Sequence, residues 1–212
     1  DWIERSRSPR TGGSRAFYTS LRGWARTYPE GSGCLIPTVL RAGEFLHDPD
    51  VDRQARALGE FLLDIQDGAG GWHAGTWPVR KNAPFSSLGT AQIQKGLCML
   101  ARHTGESIWL EAALRAAHWL AKGIDENGSF AYGCRSGDAD ATYHTQVAWS
   151  LLEVWSLTGE AMVRDAAVRL LEAARARRTL LGAFAGWGFS ASDSAFTHTI
   201  GATLRGFVES AR

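Results

Sequence analysis

Apolar residues recur along most of this chain at the spacing of amphipathic helices. Leu35, Ile36, Val39, Leu40 and Phe45 form one stripe; Ile93, Leu97 and Leu100 form a second, and Val147, Leu151, Leu152 and Trp155 a third. Between them runs another set of stripes. Trp109, Leu110, Ala113, Leu114, Ala117 and Leu120 define the clearest, and residues 51–66 and 161–177 match it. Asp48-Pro49 reads as the start of the first of these, an N-cap acceptor followed by a proline that suits the first turn. Val, Ile and Thr rarely alternate with polar residues, so strands are not expected. The pattern predicts an all-α array of antiparallel helical hairpins.

The stripes also repeat. Ser32-Gly33-Cys34-Leu35, Gly89-Thr90-Ala91-Gln92, His144-Thr145-Gln146-Val147 and His198-Thr199-Ile200-Gly201 open four copies, roughly 55 residues apart. The predicted domain is a single one over residues 1–212, with repeats near 32–86, 89–141 and 144–195 and a partial fourth at 198–212. Each full copy has one short connection, Leu46-His47-Asp48-Pro49, Thr104-Gly105-Glu106 or Thr158-Gly159-Glu160. The other connection is long and glycine-rich, and carries an aromatic: Trp72, Phe130 or Phe184. Because consecutive helices alternate in direction, all long connections fall on one face of the array. Binding surfaces of repeat arrays are commonly built from such loops.

Composition narrows the partners. A formal charge of +1 and the absence of a basic run give no general attraction to nucleic acid. No apolar run approaches the length of a membrane span, about 20 residues. Three cysteines, Cys34, Cys98 and Cys134, none in a C-x-x-C pair, argue against a disulfide scaffold and for a reducing compartment. A cytoplasmic location is the expectation, with a trimmed leader left open because the sequence does not start with Met.

Arg56-Ala57-Leu58-Gly59-Glu60-Phe61-Leu62-Leu63-Asp64-Ile65-Gln66, followed by Gly71-Trp72, resembles the glutamine–tryptophan repeat of squalene and hopene cyclases. Tyr28-Pro29-Glu30-Gly31-Ser32-Gly33 with Ile36-Pro37-Thr38, Tyr143-His144-Thr145-Gln146-Val147-Ala148-Trp149 and Phe196-Thr197-His198-Thr199-Ile200 resemble something narrower. They are similar to bacterial prenyltransferase-like or squalene-cyclase-like toroid proteins associated with surface-polysaccharide gene clusters. The resemblance implies an alpha/alpha toroid, shared more distantly with six-hairpin sugar enzymes, and favours a closed ring over an open solenoid. Such toroids carry about six hairpins, so three and a half predict a truncated ring or one completed by self-association.

In such a ring the inner-helix starts converge on one mouth, bringing free N–H groups and partial positive charge with them. Tyr28, Glu30, Gln92, Tyr143, His144, Gln146 and His198 lie there, and the loops add Trp72, His73, Trp77, Asp138, Asp140, Trp187 and Asp193. The mouth suits an acidic oligo- or polysaccharide. Tyr143 and His144, with His198, are candidates for β-elimination from a uronate, in which one group takes the proton and another steadies the enolate. Glu30 and Asp140 are candidates for the acid and base of glycoside hydrolysis. Tyr28, Trp72, His73, Trp77, Gln92, Gln146 and Trp187 are the candidate substrate contacts. The alternatives are that the histidines only cap helices and the loop tryptophans plug hairpin ends. A terpenoid cyclase is a further alternative, although Asp138-Ala139-Asp140 supplies two of the three acids a protonating cyclase needs. A non-catalytic glycan- or protein-binding toroid is the last. No cofactor is expected: Cys134, Asp138, Asp140 and His144 follow no recognisable zinc-ligand spacing.

Overall fold

A computed structural model describes residues 2–134, 140–188 and 193–212 of the 212-residue chain. Among them are α1 (Trp2–Ser6), a two-residue hairpin of β1 (Tyr18–Thr19) and β2 (Gly23–Trp24), and then α2 (Pro29–Leu46), α3 (Val51–Asp64), α4 (Ser87–Thr104) and α5 (Ser107–Gly123). A 3₁₀ turn at Thr142–His144 leads into α6 (Thr145–Thr158), followed by α7 (Ala161–Ala176) and α8 (Thr197–Ser210). The fold is all-α, as the apolar period predicts.

The helices form two layers. α2, α4, α6 and α8 lie side by side as an inner layer, each packed on the next, while α3, α5 and α7 fold back on α2, α4 and α6. The outer layer is thin where it meets the inner one: Ala112, Ala113, Ala116 and Ala117 of α5 are fully buried, and Ala166 and Ala167 of α7 do the same. Larger side chains, Leu58, Phe61 and Leu62 of α3 and Leu97 and Leu100 of α4, fill the remaining space.

The short connections end inner helices by left-handed caps. Gly105 and Gly159 both take φ 73°, where a Cβ would be strained, and their N–H groups return to Ala101 and Trp155. His47 takes the same conformation without glycine, at φ 52°. The helix expected to open at Asp48-Pro49 instead opens at Val51. Asp48 Oδ1 accepts from the Asp50 N–H at 2.9 Å, so its carboxylate closes the turn before the helix rather than capping the helix itself.

Inner helices approach closely through small residues. A Cβ at Gly33 would lie 2.5 Å from the Ile93 Cα, and one at Gly96 would lie 2.5 Å from the Gly33 carbonyl oxygen. Backbone on both sides leaves no side chain able to move aside. Gly33→Val and Gly96→Val should each lower the unfolding free energy by about 1–3 kcal/mol or more. Gly68→Ala, where a Cβ meets nothing within 4 Å, should be close to neutral. Urea denaturation midpoints read the difference.

Candidate functional site

The N-terminal ends of α2, α4 and α6 meet the long connections around a mouth of about 620 Å³. Tyr28, Glu30, Ser86, Cys134, Tyr143 and His144 are part of its wall. The chain before α2 is pinned across the helix start: the Ser14 N–H donates to Ser32 Oγ at 2.9 Å, and Ser32 Oγ donates to the Tyr28 carbonyl at 2.9 Å. Pro29 opens α2 where its missing N–H has no cost, and Glu30 follows in the first turn, where a carboxylate is favoured by the helix dipole. The Tyr28 hydroxyl donates to Glu30 Oε2 at 2.8 Å. A Cβ at Gly89 would stand 3.4 Å from that same oxygen, so the bare backbone of α4 leaves room for the carboxylate.

Across the mouth, Tyr143 and His144 are held in the 3₁₀ turn and are almost fully buried, at 3% and 4% exposure. The His144 ring packs on Phe130 at 4.7 Å and on Tyr143 at 4.9 Å, and its Nε2 lies 3.7 Å from Cys134 Sγ. His144 also borders a second, smaller hollow of about 260 Å³ that contains Asp140. There Asp140 accepts from the Ser129 hydroxyl and pairs with Arg177 at 2.9 Å. The Ser129 bond first, and the Arg177 charge after it, hold this carboxyl below the usual range against the opposing effect of desolvation. Asp140 is therefore an anchored ion on the far side of His144, apart from Glu30.

Other expected contacts are redirected by packing. Trp72 is 1% exposed and its indole N–H donates to the Leu62 carbonyl at 2.9 Å, so it plugs the hairpin end and offers no face to a sugar. His73 has Nδ1 2.8 Å from the Ala83 carbonyl and Nε2 3.3 Å from Asp67, with its ring stacked on Phe85, which leaves neither nitrogen to a ligand. Gln146 donates to the Ala202 carbonyl at 2.7 Å and accepts from Lys95 Nζ at 3.1 Å, so it ties α6 to α8 and to α4. Trp77 is half-buried against the core, and its backbone N–H donates to the Thr27 carbonyl at 2.7 Å. Trp187 is half-buried beside Phe184, at 6.0 Å. His198 is exposed on the first turn of α8, stacked on Phe196 at 5.7 Å, and lines neither hollow with His144. Asp193 is exposed, and Asp138 lies outside the described residues, as does part of the acidic segment weighed for a cyclase.

Below the mouth, the inner helices enclose a concave hollow of about 430 Å³. Gln92 faces it, with Cys34, Arg41, Lys95, Arg102, Trp149, Glu153 and Arg205. Cys34 is open here rather than buried as a small hydrophobe; Cys98 of α4 is fully buried, and desolvation pushes its thiol up to about 12. Lys95 places Nζ 3.8 Å from the centre of the Trp149 ring, and the Arg205 guanidinium lies 5.1 Å from the same ring. Desolvation first, with Arg205 adding to it, brings the Lys95 amine down to about 8. Glu153 is occupied by Arg102 and by the Trp149 indole N–H at 2.8 Å. Sequence reading passed over this lysine. Its signal was there: it is one of three lysines against twenty arginines, set inside an inner-helix pattern.

Among the described residues no three His, Cys, Asp or Glu side chains gather as a metal site would require, and no helix is long and apolar enough to cross a membrane. No family model and no curated protein matches the chain. Solved structures do. A possible member of the GH105 family from Salmonella enterica superposes with a TM-score of 0.76 at 13% identity, over 98% of this chain and 63% of that one. A D-mannose isomerase gives 0.74 at 15% identity, over 98% and 62%. The unsaturated glucuronyl hydrolase of Bacillus sp. GL1 gives 0.66 at 21% identity, over 82% and 53%. The chain thus spans a little over half of each, and the shared feature is the alpha/alpha-toroid fold. These neighbours lie on the sugar-enzyme side of the resemblance seen in the sequence.

The lysine supplies a test of the concave geometry. Its folded value of about 8 lies below the ordinary 10.5, so between those limits the unfolded chain holds more protons at this position. Stability contributed by Lys95 should therefore rise as pH increases through that window. Urea denaturation at a series of pH values should show this rise in the parent chain and lose it in Lys95→Met.

Proposed function

We propose that this chain is the saccharide-acting wall of a carbohydrate-active alpha/alpha toroid, and that it works on an acidic polysaccharide by β-elimination at the mouth. The observation that carries this reading is the Tyr28–Glu30 pair, hydrogen-bonded at 2.8 Å and facing Tyr143 and His144 across one hollow. In a uronate residue, Glu30 accepts the proton on the carbon next to the carboxylate. The electron pair moves toward that carboxylate as an enolate, then forms the ring double bond as the bond to the leaving oxygen breaks. Tyr28, the half-buried hydroxyl on Glu30, returns a proton to the departing oxygen, and the Tyr143–His144 wall stabilises the developing enolate charge.

Glycoside hydrolysis is the second reading, and the fold neighbours favour it, since two of them are described as a glucuronyl hydrolase and a possible GH105 member. It needs two carboxyl groups flanking one bond. Among the described residues lining the mouth, Glu30 is the one carboxylate, while Asp140 is engaged by Arg177 behind His144. That difference supports elimination as the first reading.

Assay against a panel of uronate polysaccharides separates the two. Elimination yields one ultraviolet-absorbing unsaturated end for each new reducing end; hydrolysis yields reducing ends alone. The expected result is the paired signal, reduced about 10²–10⁴-fold in Glu30→Gln and by less in Tyr28→Phe. Reducing ends without absorbance would replace elimination by hydrolysis, and no product of either kind would remove the catalytic reading.

A further inference from the structure

The concave hollow below the mouth holds charge that the mouth chemistry does not use. We infer that Lys95, seated on Trp149 and flanked by Arg205 and Arg41, is a binding site for the carboxylate of a second uronate residue of the same saccharide. The identity of the ligand as a saccharide rests on the proposed function; the site itself rests on the geometry of the inner helices.

Besides Arg102, which is paired with Glu153, three cations from three helices face one space of about 430 Å³: Arg41 on α2, Lys95 on α4 and Arg205 on α8. Among the described residues no carboxylate pairs with Lys95 or Arg41, and Arg205 has only a long 3.8 Å contact with Glu209 at the helix surface. Glu153, the acid nearest in the wall, is neutralised by Arg102. Gln146 gives Lys95 a neutral acceptor and Trp149 a neutral face. The ammonium is therefore fixed in direction without being cancelled in charge. Holding a cation in this way costs desolvation, and an anion entering the hollow would offset it. Arg41 and Arg205 are exposed and would meet the ligand at the rim, where their attraction is screened by salt.

Binding should then depend on pH. The charged or titratable groups around Lys95 are Cys34 and Arg41 on α2, Arg102 on α4, Glu153 on α6 and Arg205 and Glu209 on α8. Only protonated Lys95 attracts a carboxylate, so affinity should fall as pH passes about 8, and complex formation below that value should retain the proton more firmly.

Calorimetric titration of the Glu30→Gln chain tests the site with turnover suppressed. The probes are a uronate oligosaccharide, the neutral oligosaccharide of the same linkage, and sodium sulfate. The uronate should bind, weaken about tenfold or more in Lys95→Met, recover in part in Lys95→Arg, and weaken to a smaller degree in Arg205→Gln. Circular dichroism checks that each variant is folded, and Arg205→Gln, at an exposed position, tests the site even where Lys95→Met fails that check. Equal affinity for the neutral sugar, or uronate affinity unchanged in both Lys95→Met and Arg205→Gln, would overturn the proposal. Sulfate binding as tight as the uronate would also overturn it, by reducing the site to a general anion trap. Lys95-dependent binding with no turnover in the parent chain would sink the mouth chemistry and leave this site standing. Turnover with an unchanged KM in Lys95→Met would do the reverse.

Discussion

The close contact between successive inner helices is the constraint on which the rest of this structure depends. At Gly33 the backbone of α2 reaches that of α4, with Gly96 clearing the Gly33 carbonyl in return, and at Gly206 the backbone of α8 reaches Thr145 of α6. The α4–α6 and α6–α8 contacts are also joined by buried polar bonds. Gln94 donates to the Ser150 carbonyl at 2.6 Å, and Thr145 and Gln146 donate to the Thr203 and Ala202 carbonyls at 3.0 and 2.7 Å. Each such donor would be costly to bury alone, and each finds its acceptor only when the neighbouring helix is in place. The polar seams therefore fix the relative positions of the inner helices, while the alanine-rich contact with the outer layer supplies bulk burial.

Two consequences for function follow from that spacing. The helix starts are brought near enough for Glu30 of α2 to share one hollow with the turn that carries Tyr143 and His144. The inward faces, relieved of packing duty, are free to carry Lys95, Arg41 and Arg205 around Trp149. A charged inner wall is tolerated because the apolar core lies between the layers and not at the centre of curvature.

Much of the fold was readable from the chain. Most of the apolar stripes of α2, α4 and α6 are buried as their period predicted, although Phe45 and Trp155 at their ends are exposed, and two of the three short turns carry a glycine at a left-handed cap. Tyr28, Glu30, Tyr143 and His144 were expected together at the inner-helix starts, and they line one hollow. The polar chemistry near the mouth was less legible. Trp72, His73 and Gln146 look like ligands in a list of residue types, but each has its polar atoms bound to neighbouring protein groups. Asp140 looks like a partner for Glu30 until Arg177, distant in sequence, is found holding it behind His144. Asp48 signals a helix start and makes a turn instead, because its carboxylate reaches the Asp50 N–H first.

By itself the sequence determined the helical periods, the order of hairpins and the identity of the face where long connections gather, because these depend on local spacing and on alternation of direction. The tertiary structure decided which polar groups are spent on structure and which remain for a ligand. That division depends on atoms from helices about 50 residues apart in the chain meeting within hydrogen-bond distance, as Lys95 and Gln146 do at 3.1 Å. No local pattern encodes such a meeting, and so the surroundings of the concave lysine became legible only in the packed inner helices.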